Sequence, residues 1–395
     1  MMGVLNHLST LLLLSLLPPA LSRVVEKFSD VPQCKNFFMQ GTTPNLPGIL
    51  VGGTVQDQSR YKPICQLFNN FYRFATLYDT TNRIPVFSAY TFTGPPMSPR
   101  PNQPWMIEPQ LNGVNNSPEM KMMGEHYQHQ AGNYDYKNSI QNKGVNRGHL
   151  FPNSHAHYLD TQKSTFTLTN IVPQVVSFND GSWKEMERNV REKLMTDCFS
   201  NRKIKAYVVT GAVPSKSNTL KNALNNTLNA LNNTLKNALN NTLNALNNTL
   251  KNALNNTLNN TLNNTLKNAL NNTLNALNNT LNNTLKNALN DRVNIPDLMW
   301  TAYCCLNKKK KWMAEAHWGW NKKVKRKTLK PETLGALEKE LNQFHQGGRV
   351  QVFPKDCPRG PKPTTTSNQP SWKNSLKIIS STVRNLYNSM MNRIG

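Results

Sequence analysis

Acidic residues are scarce in this chain. Its 395 residues hold 21 Asp and Glu against 46 Lys and Arg, a net charge of +25. So few carboxylates exclude a surface that repels polyanions, and the surplus suits nucleic acid or an anionic membrane surface. The plainer alternative is a secreted protein that is simply basic. Long apolar runs are missing beyond the N-terminus. The run Leu8 to Leu17, followed by Pro18, Pro19 and Ala20-Leu21-Ser22, is too short to span a membrane. Residues 1–22 read as a secretory signal peptide cut near Ser22, although its start lacks Lys and Arg. The mature chain is then expected to be secreted, or held in the lumen of the secretory pathway.

Cysteine is sparse as well. There are six, and no two form a CxxC pair, which weakens a zinc reading. An even count in a secreted chain implies three disulfides and leaves their pairing open. Cys34 with Cys65 is the first expectation, because it ties the N-terminal segment down. Cys304 and Cys305, adjacent in a strand-like run, should face opposite sides and take different partners.

Composition divides the rest. Residues 23–215 and 291–357 have globular composition, whereas 216–290 are almost wholly Asn, Leu, Thr, Ala and Lys. In that stretch leucine recurs at 220, 224, 228, 231, 235, 239, 243 and 246, a helix-like stripe. Asn and Thr are weak helix formers, however, and no charge pairs support the exposed side. Each "NNT" is also an Asn-x-Thr glycosylation acceptor, as at Asn225, Asn232 and Asn240. The expectation is a low-complexity insertion in a surface loop, with a leucine-stripe helix as the alternative. Its flanks, "IKAYVVTGAVPS" and "RVNIPDLMWTAYCC", read as strands of one sheet, and "KKWMAEAHWGW" as another strand. "PETLGALEKELNQF" reads as a helix. Strands and helices intersperse without a βαβ repeat, so the class is α+β with antiparallel sheets. Residues 358–395 form a Pro/Thr linker and then a basic amphipathic stretch, Trp372 to Ile394, suited to a membrane surface, a partner helix or docking on the domain.

The chemistry concentrates in "VNRGHLFPNSHA", Val145 to Ala156, and in "STFTLTNIVPQVVSFNDGSWKEMERNVREKL", Ser164 to Leu194. Trp183, Met186, Val190 and Leu194 fall at helical spacing, with acidic residues early and basic ones late. A helix starting near Asp180 puts Asn179 at its N-terminal end and Glu187 about 80° round and roughly 12 Å along. Hydrolysing a phosphodiester needs a base, a cation for developing charge and positive groups on the phosphate. His149 suits the first task, Asn179 offers a hard oxygen to Mg²⁺, and Arg147 can grip phosphate. Gly148 is expected to let the backbone bend between them.

"NRGHLFP", "LTNIVPQ" and "FNDGSWKEME", in this order and separation, resemble the DNA/RNA non-specific endonucleases of the ββα-metal, or His-Me finger, class. "VPQCKNFF" and "PICQLFNNFYRFATLYDTTNRIPVFSAYTFTG" are similar to a secreted vertebrate branch of that family, and the likeness runs from about Phe28 to Cys357, without the repeat. The resemblance implies Mg²⁺-dependent cleavage of DNA and RNA with little sequence preference, with Mn²⁺ as the alternative metal. His149 would then be the general base, Asn179 the direct metal ligand, and Arg147 the phosphate-gripping residue. Glu187 would hold a water of the metal's hydration shell and help protonate the leaving oxygen. Asn170 would order the substrate and the His149 loop, and Arg100 would match a second phosphate-binding arginine. The family's usual Asp is Asn146 here, which keeps an acceptor and loses a charge. The rival expectation is therefore a weak or dead descendant that binds nucleic acid, or a membrane-associated interaction protein.

Other readings are plainer. Glu187 alone is an ordinary helix carboxylate, and Asn170 alone a turn residue. His126 with His129, and His155 with His157, lack a third ligand at a telling spacing and read as solvated loop histidines, although the second pair lies near the proposed site. "NKKKKW" and "NKKVKRK" are solvated hairpin loops or a sequence-blind phosphate track.

Overall fold

The computed structural model describes residues 24–122, 127–137, 139–200, 203–216, 292–323 and 328–360, with scattered positions between 217 and 291. Three long strands come first: β1 (Tyr61–Phe68), β2 (Phe71–Asp79) and β3 (Ile84–Phe92). A short pair follows, β4 (Val145–His149) and β5 (Ile171–Val175), with helix α1 (Leu159–Ser164) between them. Helix α2 (Lys184–Asp197) precedes β6 (Ala206–Val213), β7 (Leu298–Leu306) and β8 (Trp312–Trp320), and α3 (Leu334–Leu341) comes last. Six strands form one antiparallel sheet in the order β8-β7-β6-β3-β2-β1. The class is α+β.

The insertion's two flanks are neighbours in this sheet, with Val213 opposite Leu298 and Ala206 opposite Cys305. Within 217–291, the described positions at 233–245 and 264–272 have helical backbone and are exposed. The sequons Asn225 and Asn232 fall outside the described residues. So does the expected tail helix, since the chain divides after Gly360 and nothing beyond it is described. Among the described residues no helix is long and apolar enough to cross a membrane.

Period-two alternation splits β7 between two cores. Leu298, Trp300, Ala302 and Cys304 join the core under the N-terminal segment and α3. Met299, Tyr303 and Cys305 join the core under the β4–β5 hairpin and α2. Cys304 pairs with Cys357 on the first face, and Cys305 with Cys198, just past α2, on the second. Cys34 pairs with Cys65, as expected. Trp183, Met186, Val190 and Leu194 are all buried, so the helical stripe read from the sequence is the face α2 turns to the sheet.

Two expectations need correction. The helix does not begin near Asp180. A single π-helical turn, Phe178–Trp183, with Gly181 off the helical backbone at φ −104° and ψ −110°, precedes α2. Asn179 therefore sits in an irregular turn, and the regular-helix angle to Glu187 does not hold. Gly148 is not a bend: it lies in a regular ladder opposite Val172. Glycine is required there by close approach, because a Cβ would stand 2.1 Å from Gln174 Oε1.

Candidate active site

Strand geometry sends Arg147 and His149 to the same side of the hairpin. Both meet Trp105. The Arg147 guanidinium carbon lies 5.2 Å from the Trp105 ring centre, and the His149 ring 5.6 Å from it. Tyr136 closes on Arg147 at 5.0 Å, and the Arg147 Nη2 donates to Asn133 Oδ1. The guanidinium is thus clasped between two rings, a cation–π arrangement that fixes it with little loss of charge. Its Nε is buried without a partner. Asn146 points to the other face, and its Oδ1 accepts the Arg147 backbone N–H at 2.7 Å.

His149 packs edge-on against Phe166, with ring centres 5.5 Å apart, and its Nε2 is buried and unpartnered. Burial, and then the charge of Arg100, push its pKa down to about 3. The imidazole is accordingly neutral at neutral pH. A phosphodiester anion beside the ring would oppose the charge of Arg100 and raise the pKa.

Asn170 is fully buried, and its amide is spent on the protein. Its Oδ1 accepts from Ser88 Oγ and from the Phe151 N–H, both at 2.9 Å. Its Nδ2 donates to the carbonyls of Phe151 and Thr165, both at 3.0 Å. The residue ties β3, the segment after His149 and the end of α1 together, and its side chain has no bond left for substrate.

On α2, Glu187 is half-buried. Burial raises its pKa to about 8, against the opposing pull of Trp183, Arg100, Lys184 and Arg191. The Trp183 N–H stands close enough to favour the carboxylate but short of a well-formed hydrogen bond. Arg100 is exposed, and its guanidinium carbon lies 5.0 Å from the Phe166 ring centre. Its charge bears on both His149 and Glu187. A cavity of about 730 Å³ opens beside Glu187, lined also by Ser154, Ser182, Lys184, Arg188 and Arg191. Asn179 is half-exposed in the turn leading into α2, and among the described residues no partner engages its amide. A free amide oxygen in such a turn fits Mg²⁺ or Mn²⁺, hard cations that keep several waters. Among the described residues no group of three His, Cys, Asp or Glu gathers to hold a metal otherwise.

His155 corrects the solvated reading. It is 3% exposed, and it joins Tyr90 Oη at 2.8 Å to the Glu187 carbonyl at 2.9 Å. A carbonyl only accepts, so Nε2 carries the proton and Nδ1 accepts from Tyr90. His157 is half-exposed and bonded through Nδ1 to the Pro95 carbonyl at 2.6 Å. His129 is exposed, and His126 lies outside the described residues. Trp105, Tyr136, Asn133 and His155 were not singled out as site residues from the sequence. Trp105, five residues after Arg100, and His155, close after His149, carried a local signal.

A hairpin that carries a histidine, followed by a turn that carries an amide and a helix that carries a carboxylate, is the layout of a ββα-metal nuclease fold. The chain belongs to the DNA/RNA non-specific endonuclease family, whose model matches residues 58–336, more than half of its length. Two curated relatives are each named endonuclease domain-containing 1 protein. The human one is 32% identical over 205 residues, 49% of this chain and 36% of that protein. The mouse one is 32% identical over 195 residues, 47% of this chain and 35% of that protein. The chain thus matches about a third of the length of these relatives. A solved chain from the EndoG/EndoGI complex, a study of EndoG inhibition, aligns at TM-score 0.40 and 15% identity, over 70% of this chain and 84% of that one. That likeness is too distant to bear on function.

Proposed function

We propose that the protein is a metal-dependent endonuclease that hydrolyses phosphodiester bonds of DNA and RNA with little sequence preference. One observation carries the reading: Arg147 and His149 leave the same side of the β4–β5 hairpin and both pack on Trp105, with Arg147 Nε and His149 Nε2 buried and unpartnered. His149 takes the proton of the attacking water through its unpartnered nitrogen. Arg147 and Arg100 hold the phosphate oxygens and draw off developing charge. Glu187, with a pKa near 8, keeps a proton at neutral pH and can give it to the leaving oxygen. Asn179 would hold Mg²⁺ or Mn²⁺, which supplies positive charge beside the leaving oxygen. Asn170 orders the His149 loop from behind. Phosphate contacts carry no sequence information, which supports cleavage with little sequence preference.

Three disulfides with no free cysteine among the described residues support folding in an oxidising compartment, and so secretion or residence in the lumen. N-glycosylation of the insertion and membrane or partner contact by the tail belong to the same proposal. Asn146 favours a rival, a nucleic-acid binder that has lost cleavage. Against it, Asn146 still supplies the acceptor that holds the Arg147 backbone.

The deciding experiment incubates plasmid and RNA with the purified protein in Mg²⁺, in Mn²⁺ and in excess chelator, beside His149→Ala. The expected result is cutting of both nucleic acids with metal, none with chelator and none by the variant. Intact substrates in both metals, or equal cutting by the variant, would overturn the reading.

A further inference from the structure

Arg292 stands where the low-complexity stretch ends and the chain returns to the sheet. Its side chain reaches the segment that leads to the Arg147 clasp. Nη2 donates to the carbonyls of Tyr127 and, at 3.4 Å, Gln130. Nε lies 3.6 Å from Asp135 Oδ1, an ion pair too long for a hydrogen bond, and that carboxylate is 2% exposed. Asp135 Oδ2 accepts the Gly132 N–H at 2.8 Å, closing the turn Asn133–Tyr136. This is the turn whose Asn133 accepts from Arg147 and whose Tyr136 ring covers the guanidinium. Arg83, at the start of β3, braces the arrangement from the other side. It donates to the Gln128 carbonyl and to the Arg292 carbonyl, both at 3.0 Å.

We propose that Arg292 is a positioning residue for Arg147: it neutralises and anchors the Asp135 turn, and that turn sets the guanidinium in the cleft. The inference rests on the reading of Arg147 as the phosphate-gripping residue. A buried carboxylate without its counter-charge is costly, so loss of Arg292 lets the turn open or move toward water. Asn133 and Tyr136 move with it, and Arg147 loses the contacts that fix its direction. The end of the insertion is thereby part of the support of the cleft rather than an appendage to a distant loop.

The test is a double-mutant cycle on the full chain. Binding of a fluorescent DNA oligonucleotide is measured in chelator, and cleavage is measured in Mg²⁺. Arg292→Met is expected to weaken both about tenfold, the size of coupling seen between groups in one network. In an Arg147→Ala background the same change should cost nothing further, whereas in an Arg100→Ala background the losses should multiply. Arg292→Lys should restore part of the loss. If Arg292→Met folds poorly, the pair Arg292→Met with Asp135→Asn removes both charges, and it should recover thermal stability while keeping the binding defect. The buried Nε–H of Arg147 gives a readout that needs no substrate. Its ¹⁵N–¹H resonance should shift in Arg292→Met and stay in place in Lys322→Met. An unmoved resonance, or equal losses from Arg292→Met with and without Arg147, would overturn the proposal. A moved resonance in a protein that neither binds nor cuts would uphold the coupling and sink the nuclease reading alone.

Discussion

On one face of the six-stranded sheet, Glu338 accepts from the Val352 N–H at 2.9 Å and from Arg359 through both carboxylate oxygens, at 2.9 and 3.1 Å. Arg359 Nη1 spends its protons on the carbonyls of Pro354 and Cys357. At the rim of the same face Asp79 takes Arg60, Asn82 and the backbone of Thr81. On the opposite face, Arg147 Nε, His149 Nε2, both amide atoms of Gln174 and Ser182 Oγ are buried without partners. Among the described residues no buried side-chain polar atom of the first face is left so. Each such atom costs about 1–3 kcal/mol in a protein interior. The difference separates a face whose polar groups pair with one another from one that leaves donors and acceptors unpaired around the His149 hairpin and the start of α2.

The sharpest way to break this comparison is at His149. His149→Ala should lower the cleavage rate by about 10³-fold, within the range for losing a general base. The thermal midpoint should fall only by the ring packing on Trp105 and Phe166, because the imidazole's Nε2 has no hydrogen bond to lose. A large drop in the midpoint would make His149 a packing residue and remove the contrast. The reverse experiment belongs to the other face. Replacing Cys304 and Cys357 together by Ala opens a bridge of sequence separation 53. The expected loss is about 4 kcal/mol of stability by chain entropy, with the rate of the remaining folded protein unchanged. Denaturant melts and active-site titration together separate the two quantities.

The two faces were unequally legible in the sequence. Strands β6, β7 and β8 and the buried stripe of α2 follow from apolar periodicity, and adjacent Cys304 and Cys305 announced opposite faces. His149 and Asn179 were named for what their side chains can do and Glu187 from a regular-helix angle that does not hold, and a resemblance supplied their roles together. What escaped was non-local. His155 looks like a loop histidine until Tyr90, 65 positions earlier, covers it. The clasp on Arg147 comes from Trp105 and from the Asn133–Tyr136 turn, neither adjacent to it in sequence. The π turn at Asn179 is set by the packing of Phe178 and Trp183 on the sheet side, which local propensity does not encode.

pH sharpens the comparison in a different way. Burial holds the pKa of His155 down to about 4, against an ordinary value of 6.5. The unfolded chain therefore takes up a proton at a pH where the folded one does not. Stability is fully present above about pH 6.5 and is lost as pH falls toward 4, by about 3 kcal/mol for this one residue. His149, pushed to about 3 by burial and Arg100, adds in the same direction. His345 on the other face is also lowered by burial, but its bond to the Pro47 carbonyl offsets part of the effect. Thermal melts from pH 7.5 to 4.5 should flatten more in His155→Gln than in His345→Gln. Equal flattening would mean that the acid sensitivity does not reside on the active-site face.

The smallest effect is expected at Asn146. Its Oδ1 already holds the Arg147 N–H at 2.7 Å, and the side chain faces away from Trp105 and the clasped guanidinium. Asn146→Asp keeps that bond and adds charge to it, a gain of about 1 kcal/mol, since bonds to charged groups are worth roughly 1.5–3 kcal/mol against 0.5–1.5 for neutral ones. The added carboxylate faces away from the guanidinium, so its charge acts only through space and offsets a little of the pull of Arg147 on phosphate. The two effects oppose each other, so cleavage should change by less than about tenfold. A rise of a hundredfold or more in kcat/KM would show that the amide at this position suppresses catalysis, and that the chain retains the fold in a weakened form.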